Sequence, residues 1–173
     1  MPVKDWDNLA EDEDDSSETK IETTGLKGWY NDTLIGGTFT DHPVPQMGIV
    51  RVEDPGHPIL AGTLWGAKSG TRTGGSRDED ISSAQSSWEW FDEWYNFSSN
   101  PRAQSGTHVL LTVDESSYTG GKHGQDHPIA WCRELEGGGR SFYTSLGHFD
   151  KAYEDQAFLE QLLAGILWTG KRL

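Results

Sequence analysis

Apolar positions fall at helical spacing in two stretches and at strand spacing in four. From Trp29 to Ile35, the side chains of Trp29, Tyr30, Leu34 and Ile35 recur near one helical turn and predict a short helix. Gly48 to Glu53 reads as a strand, β-rich from Ile49 to Val52 and closed by Asp54-Pro55-Gly56. His108 to Val113 is a second strand, ending at Asp114-Glu115. Pro128 to Leu135 and Arg140 to Ser145 are two more, joined through Glu136-Gly137-Gly138-Gly139 as a hairpin. A closing helix spans about Gln156 to Thr169, with Asp155 placed to cap its start and Gly170 to end it. Phe158/Leu162/Ile166 and Leu159/Leu163/Leu167 form two apolar rows on it, which predicts a wide buried face. Four strands and two helices make a thin partner for such a face, so the core reads as incomplete.

Two stretches fall outside this pattern. Residues 1–27 carry nine acidic and three basic side chains, with an unbroken acidic run from Glu11 to Asp15, and read as a disordered tail. Residues 66–87 hold four Gly and six Ser, with Ile81 as their one large apolar residue, and read as a mobile insertion. The domain is then 28–173. At 173 residues the chain is long enough for one core, and its eight Trp exclude a wholly disordered protein.

Charge narrows the partners. With 28 acidic and 14 basic residues the net charge is −14, which excludes a sequence-independent grip on nucleic acid or an anionic membrane. The longest apolar run, Leu162 to Trp168, is too short to span a bilayer, and the N-terminal residues hold no apolar signal segment. A cytoplasmic location is the expectation. The single cysteine, Cys132, rules out an intrachain disulfide. It sits mid-strand with no strand-to-helix elbow to activate it, and reads as a packed thiol. No P-loop, Rossmann glycine fingerprint or zinc-ligand spacing is present, and no metal or cofactor is assigned.

The histidines carry more. His42, His57 and His127 each precede proline and mark loop entries. A hairpin sets the start of its first strand beside the end of its second, so His127 and His148 belong at one sheet edge. If the 108–113 strand runs parallel to 140–145, Asp114 and Glu115 reach that edge too. Imidazoles beside carboxylates there suit acid–base chemistry, a metal or a polyol; a network of caps and turns is the equal alternative. Trp88-Glu89-Trp90-Phe91-Asp92-Glu93-Trp94-Tyr95 is the densest aromatic and acidic block. It suits sugar recognition, and nearly as well an ordinary packed segment.

The order of these motifs resembles the trehalose-utilisation (ThuA-like) family. The series runs Trp29-Tyr30…Gly36-Gly37-x-Phe39…His42-Pro43, Val50-x-Val52-Glu53-Asp54-x-x-His57-Pro58, and Asp92-Glu93-Trp94-Tyr95-Asn96-Phe97. It continues with Asp114-Glu115-Ser116-x-Tyr118, Asp126-His127-Pro128 and Phe142-Tyr143-Thr144-x-Leu146-Gly147-His148. The resemblance implies an α/β, three-layer, flavodoxin-like fold related to class I glutamine amidotransferases, without their cysteine nucleophile. It also implies catabolism of trehalose and related disaccharides, including keto sugars. Family members carry a long N-terminal half before the Trp-Tyr motif, whose place is taken here by the acidic tail.

On this reading His148 and Glu115 transfer protons, and His127 orients them or shares a metal. Asp92, Glu93 and Tyr95 hold sugar hydroxyls, with His42 beside them. The competing reading is a non-catalytic sugar-binding or degenerate domain. The partner is a small-molecule carbohydrate, and a thin core implies self-association or a partner over an open sheet edge. Limited proteolysis is expected to cut within 1–27 and 66–87 before it reaches 107–169. Early cuts in the closing helix, with both stretches protected, would refute the reading.

Overall fold

The computed structural model describes residues 28, 30–63, 65 and 87–173; the acidic segment 1–27 and residues 66–86 lie outside it. The short first helix is observed as one π-helical stretch, Tyr30–Ile35, ended by Gly36 N–H on the Asn31 carbonyl at 2.6 Å. The strands are β1 (Phe39–Asp41), β2 (Gln46–Val52), β3 (Ser87–Asp92), β4 (Asn96–Phe97), β5 (Thr107–Asp114), β6 (Pro128–Glu134) and β7 (Arg140–Thr144). Helix α1 (Gln156–Thr169) closes the chain. β1 and β4 form a small two-stranded sheet, and the other five form one sheet in the order β3-β2-β5-β6-β7.

The hairpin forms as the glycine run requires. β6 and β7 pair from Ala130↔Thr144 to Glu134↔Arg140. β3 lies inside the aromatic block and alternates: Trp88 and Trp90 are half-buried while Ser87, Glu89 and Phe91 are exposed. That two-residue period is the strand signal in this stretch. Every strand pair among the described residues is antiparallel. The 108–113 strand, β5, runs parallel to β7 without pairing with it directly. β6 lies between them, and β5 shares only the direction of β7 because each is antiparallel to β6.

Apolar clusters lie on both faces of the sheet. One cluster gathers Val50, Ile59, Leu60, Trp65, Leu110, Ile129, Phe158 and Trp168; the other gathers Phe97, Val109 and Trp131 with Ile35, Tyr95 and Tyr143. Trp65 stacks on Trp88 at 4.7 Å and meets Trp90 edge-on at 5.7 Å, which ties the 57–63 turn to strand β3.

Helix α1 starts where the sequence indicates, with the Asp155 carboxylate accepting from Phe158 N–H at 3.0 Å. It ends at Thr169, but the left-handed residue beyond it is Lys171 (φ 54°) rather than Gly170 (φ −78°). The two-row buried face is also corrected. The buried residues are Ala157, Phe158, Gln161, Gly165 and Trp168, while Leu159, Leu163 and Ile166 are exposed. Gly165 sets this orientation. A methyl group there would stand 2.3 Å from the Phe142 ring, so the helix lies directly on β7 at that point. Gly165→Ala gains about 1 kcal/mol of helix propensity, yet it overpacks a site worth about 1–3 kcal/mol. Net destabilisation is expected in urea unfolding; a stabilised variant would mean that Phe142 has room to move.

Candidate functional site

The site forms where the two outer strands of the sheet come together. Asp92 ends β3 at one edge, and Gly147-His148 follows β7 at the other. The Asp92 side chain is 0% exposed and accepts from five donors. These are Trp90 Nε1 (2.9 Å), Glu93 N–H (2.9 Å), Gly147 N–H (2.7 Å), His148 N–H (3.3 Å) and His148 Nδ1 (2.8 Å). Such a carboxylate has neither surface nor lone pairs left for a sugar hydroxyl. In this arrangement Asp92 orients His148 rather than facing the open side of the site. Gly147 (φ 104°) lets the chain turn into this contact, where a Cβ would meet Phe158 at 2.7 Å.

Asp92 also fixes the tautomer of His148. A carboxylate accepts, so Nδ1 carries the proton and the neutral ring presents Nε2 as an acceptor. Nε2 meets the Tyr95 hydroxyl at 2.6 Å and stands 3.6 Å from Glu93 Oε2. His42 Nε2 approaches the same Glu93 oxygen from another side, also at 3.6 Å, while its Nδ1 bonds the Pro43 carbonyl at 2.9 Å. About a quarter of each of the His148 and Glu93 side chains is exposed, as is a third of His42. Burial, then the nearby Glu93 and Asp92 charges, raise the Tyr95 hydroxyl above its ordinary pKa. Tyr95 is therefore a phenol that donates, not a phenolate. Phe39 packs on its ring at 4.4 Å and is itself 46% exposed, so the site has an open aromatic wall.

His127 and Glu115 lie behind this wall. His127 is fully buried; Nε2 donates to the Tyr95 carbonyl at 2.8 Å, and Nδ1 faces both Glu115 Oε1 and the Tyr118 hydroxyl at 2.8 Å. Glu115 accepts in addition from His123 and Gly124 N–H, each at 2.7 Å. Glu115 contacts His127 rather than His148, and its side chain is 13% exposed. Among the described residues no three His, Cys, Asp or Glu side chains are placed to hold a metal ion. Phe39 and Tyr118 were not singled out from the sequence as site residues, although both stand within the quoted motif series.

Two other features lie apart from His148. A cleft of about 430 Å³ is lined by Met47, Glu89, Trp90, Phe91, Phe149 and Lys151, among others, and includes neither His148, Glu93 nor Tyr95. Cys132 is buried, and burial, chiefly, pushes its thiol up to about 12, in keeping with a packed role.

A family model described as ThuA, trehalose utilisation, matches residues 73–169; it begins inside the stretch read from the sequence as an insertion. Among solved structures, a protein described as ThuA-like from Bacteroides uniformis is similar over 82% of this chain, with 23% identity and a TM-score of 0.56. Another described in the same way, from Parabacteroides merdae, is similar over 78%, with 21% identity and a TM-score of 0.45. The chain spans 51% and 40% of those two proteins. No curated protein matches.

The five-donor environment of Asp92 makes a prediction. Asp92→Asn turns one acceptor into a donor facing buried N–H groups, and is expected to cost about 3 kcal/mol. Glu93→Gln, one residue on and partly exposed, is expected to stay within about 0.5 kcal/mol. Denaturant unfolding of the two variants reads the contrast, and equal losses would refute it.

Proposed function

Because the chain belongs to the ThuA trehalose-utilisation family, we propose that it is a carbohydrate-processing domain whose working group is His148. The observation that carries this reading is an imidazole held through Nδ1 by a buried carboxylate, with Nε2 presented to a phenol beside a second carboxylate. An Asp–His pair of this kind holds a general base in a fixed direction. Tyr95, whose hydroxyl donates to His148 Nε2, passes its proton there and takes one in turn from a sugar hydroxyl, or from a sugar carbon acidified by a neighbouring keto group. Asp92 stabilises the imidazolium that results. Glu93 and His42 hold hydroxyls, and the Phe39 and Tyr95 rings face the C–H groups of the sugar. Glu115 and His127 act at one remove, by fixing the backbone of Tyr95.

The substrate on this reading is trehalose or a related disaccharide, including its keto forms. Nucleic acid and membrane surfaces are not its partners, in keeping with the net charge of −14. The described helices include none long and apolar enough to cross a membrane, and the proposal places the protein in the cytoplasm. The antiparallel sheet and α1 would form part of a three-layer, flavodoxin-like architecture. The other layers would come from residues of the kind that the Bacteroides uniformis structure has outside the matched part, that structure being about 1.6 times as long as this chain. A second reading is a domain that binds sugar without turning it over, which the exposed Phe39 ring against Tyr95 would serve equally.

A screen of mono- and disaccharides, with keto sugars included, tests the proposal by thermal shift and by exchange of sugar C–H protons for deuterium. Binding is expected to raise Tm, and His148→Gln is expected to abolish exchange while leaving binding within roughly tenfold. Binding without exchange in the unaltered chain supports the second reading. No shift with any carbohydrate would overturn both.

A further inference from the structure

Helix α1 is apolar on two opposite sides. At 3.6 residues per turn, Leu159, Leu163 and Ile166 lie across the helix axis from the buried set of Ala157, Gln161, Gly165 and Trp168. Leu159, Leu163 and Ile166 are 39%, 57% and 67% exposed. Their i, i+4, i+7 spacing is the seam by which one helix docks on another. A helix with one wall to cover needs one apolar side; this one has two.

The ends of the helix indicate what covers the second. Asp155 and Glu154 stand eight and nine residues before Leu163, and Lys171 and Arg172 stand eight and nine after it. Between these pairs, Glu160 is the one charged residue. Lys171-Arg172 is also the only pair of adjacent basic residues in the sequence, in a chain that is otherwise strongly acidic. Two α1 helices laid antiparallel about Leu163 would set each acidic pair against the basic pair of the other copy. Leu163 would meet Leu163, and Leu159 would lie beside Ile166 and Leu167. The helix dipoles would oppose as well, positive end to negative end. A parallel arrangement would set acid against acid and base against base.

We propose that the second side of α1 is a self-association surface, with the partner a second copy of this chain docked antiparallel about a two-fold axis at Leu163. Such an interface is isologous and closes at two copies.

Sedimentation velocity on the full chain, from low to high micromolar concentration, tests this. A monomer–dimer equilibrium is expected, weakened by raised salt because its charged ends are exposed. Leu163→Glu places a charge at the axis of an exposed face; it should weaken the dimer by roughly tenfold or more without lowering Tm. Arg172→Glu is expected to weaken it too, and adding Glu154→Arg to restore it, because the two positions face each other only in the antiparallel arrangement. This charge pair keeps the test decisive if Leu163→Glu disturbs folding. A chain that stays monomeric throughout overturns the proposal. So does a dimer indifferent to Leu163→Glu, a charge loss that the second substitution fails to restore, or an interface broken instead by Phe91→Glu on strand β3.

Discussion

One buried carboxylate closes the sheet. β3 and β7 are its opposite edges, yet the Asp92 side chain at the end of β3 accepts from the backbone of Gly147 and His148, just past β7. A five-stranded sheet reaches round to itself only by curling, and a twisted antiparallel sheet curls readily. The cost of burying the charge is offset because all its partners are donors held by strand ends and an indole. The constraint that closes the curl therefore also aims the His148 ring. Fold and chemistry share one residue, and a change that loosens the edge contact moves the imidazole with it.

Tyr95 is held in the same spirit. Its carbonyl accepts from His127, its hydroxyl meets His148, and its ring packs on Phe39. His127 is in turn backed by Glu115, whose carboxylate is pinned by two backbone N–H groups of the 123–124 turn. The phenol thus has a fixed position although it stands on a segment between two short strands. Preorganisation of this kind is what a proton-relaying group needs, because a displaced donor loses its effect steeply with distance.

Much of this was legible in the sequence, for local reasons. The β6–β7 hairpin follows from its glycines, the start of α1 from Asp155, and the nearness of His127 to His148 from the way a hairpin returns. What was not legible depends on contacts distant in the chain. β3 was masked by its aromatic and acidic composition, although Trp88, Trp90 and Asp92 point one way and Glu89 and Phe91 the other. The orientation of α1 was misread because Leu and Ile outweigh Gly in any apolar count. In the structure, Gly165 lies inward because Phe142 fills the space its side chain leaves. The surroundings of Asp92 and Glu115 were not legible, because nothing in a sequence says whether a carboxylate is buried. Here the first is buried beneath five donors and the second is tied to His127.

Two of the histidines that contact nucleophilic or acidic side chains, His57 and His148, illustrate how the partner of one ring nitrogen decides the role of the other. His57 lies 3.5 Å from Cys132, a spacing that invites a thiol–imidazole reading. Its Nδ1, however, accepts from Ile59 N–H at 3.2 Å, so in the neutral ring the proton sits on Nε2, facing the sulfur. Burial and the neighbouring His108 hold its pKa below the ordinary value, which favours that neutral form. Such a ring donates to the thiol and cannot take its proton. At His148 the pattern is reversed: Nδ1 donates to Asp92, and Nε2 is left as a lone pair toward Tyr95 and the open side of the site. The same side chain turns a donor toward its neighbour in one place and an acceptor in the other. The difference is made by what its Nδ1 meets, a backbone N–H or a carboxylate.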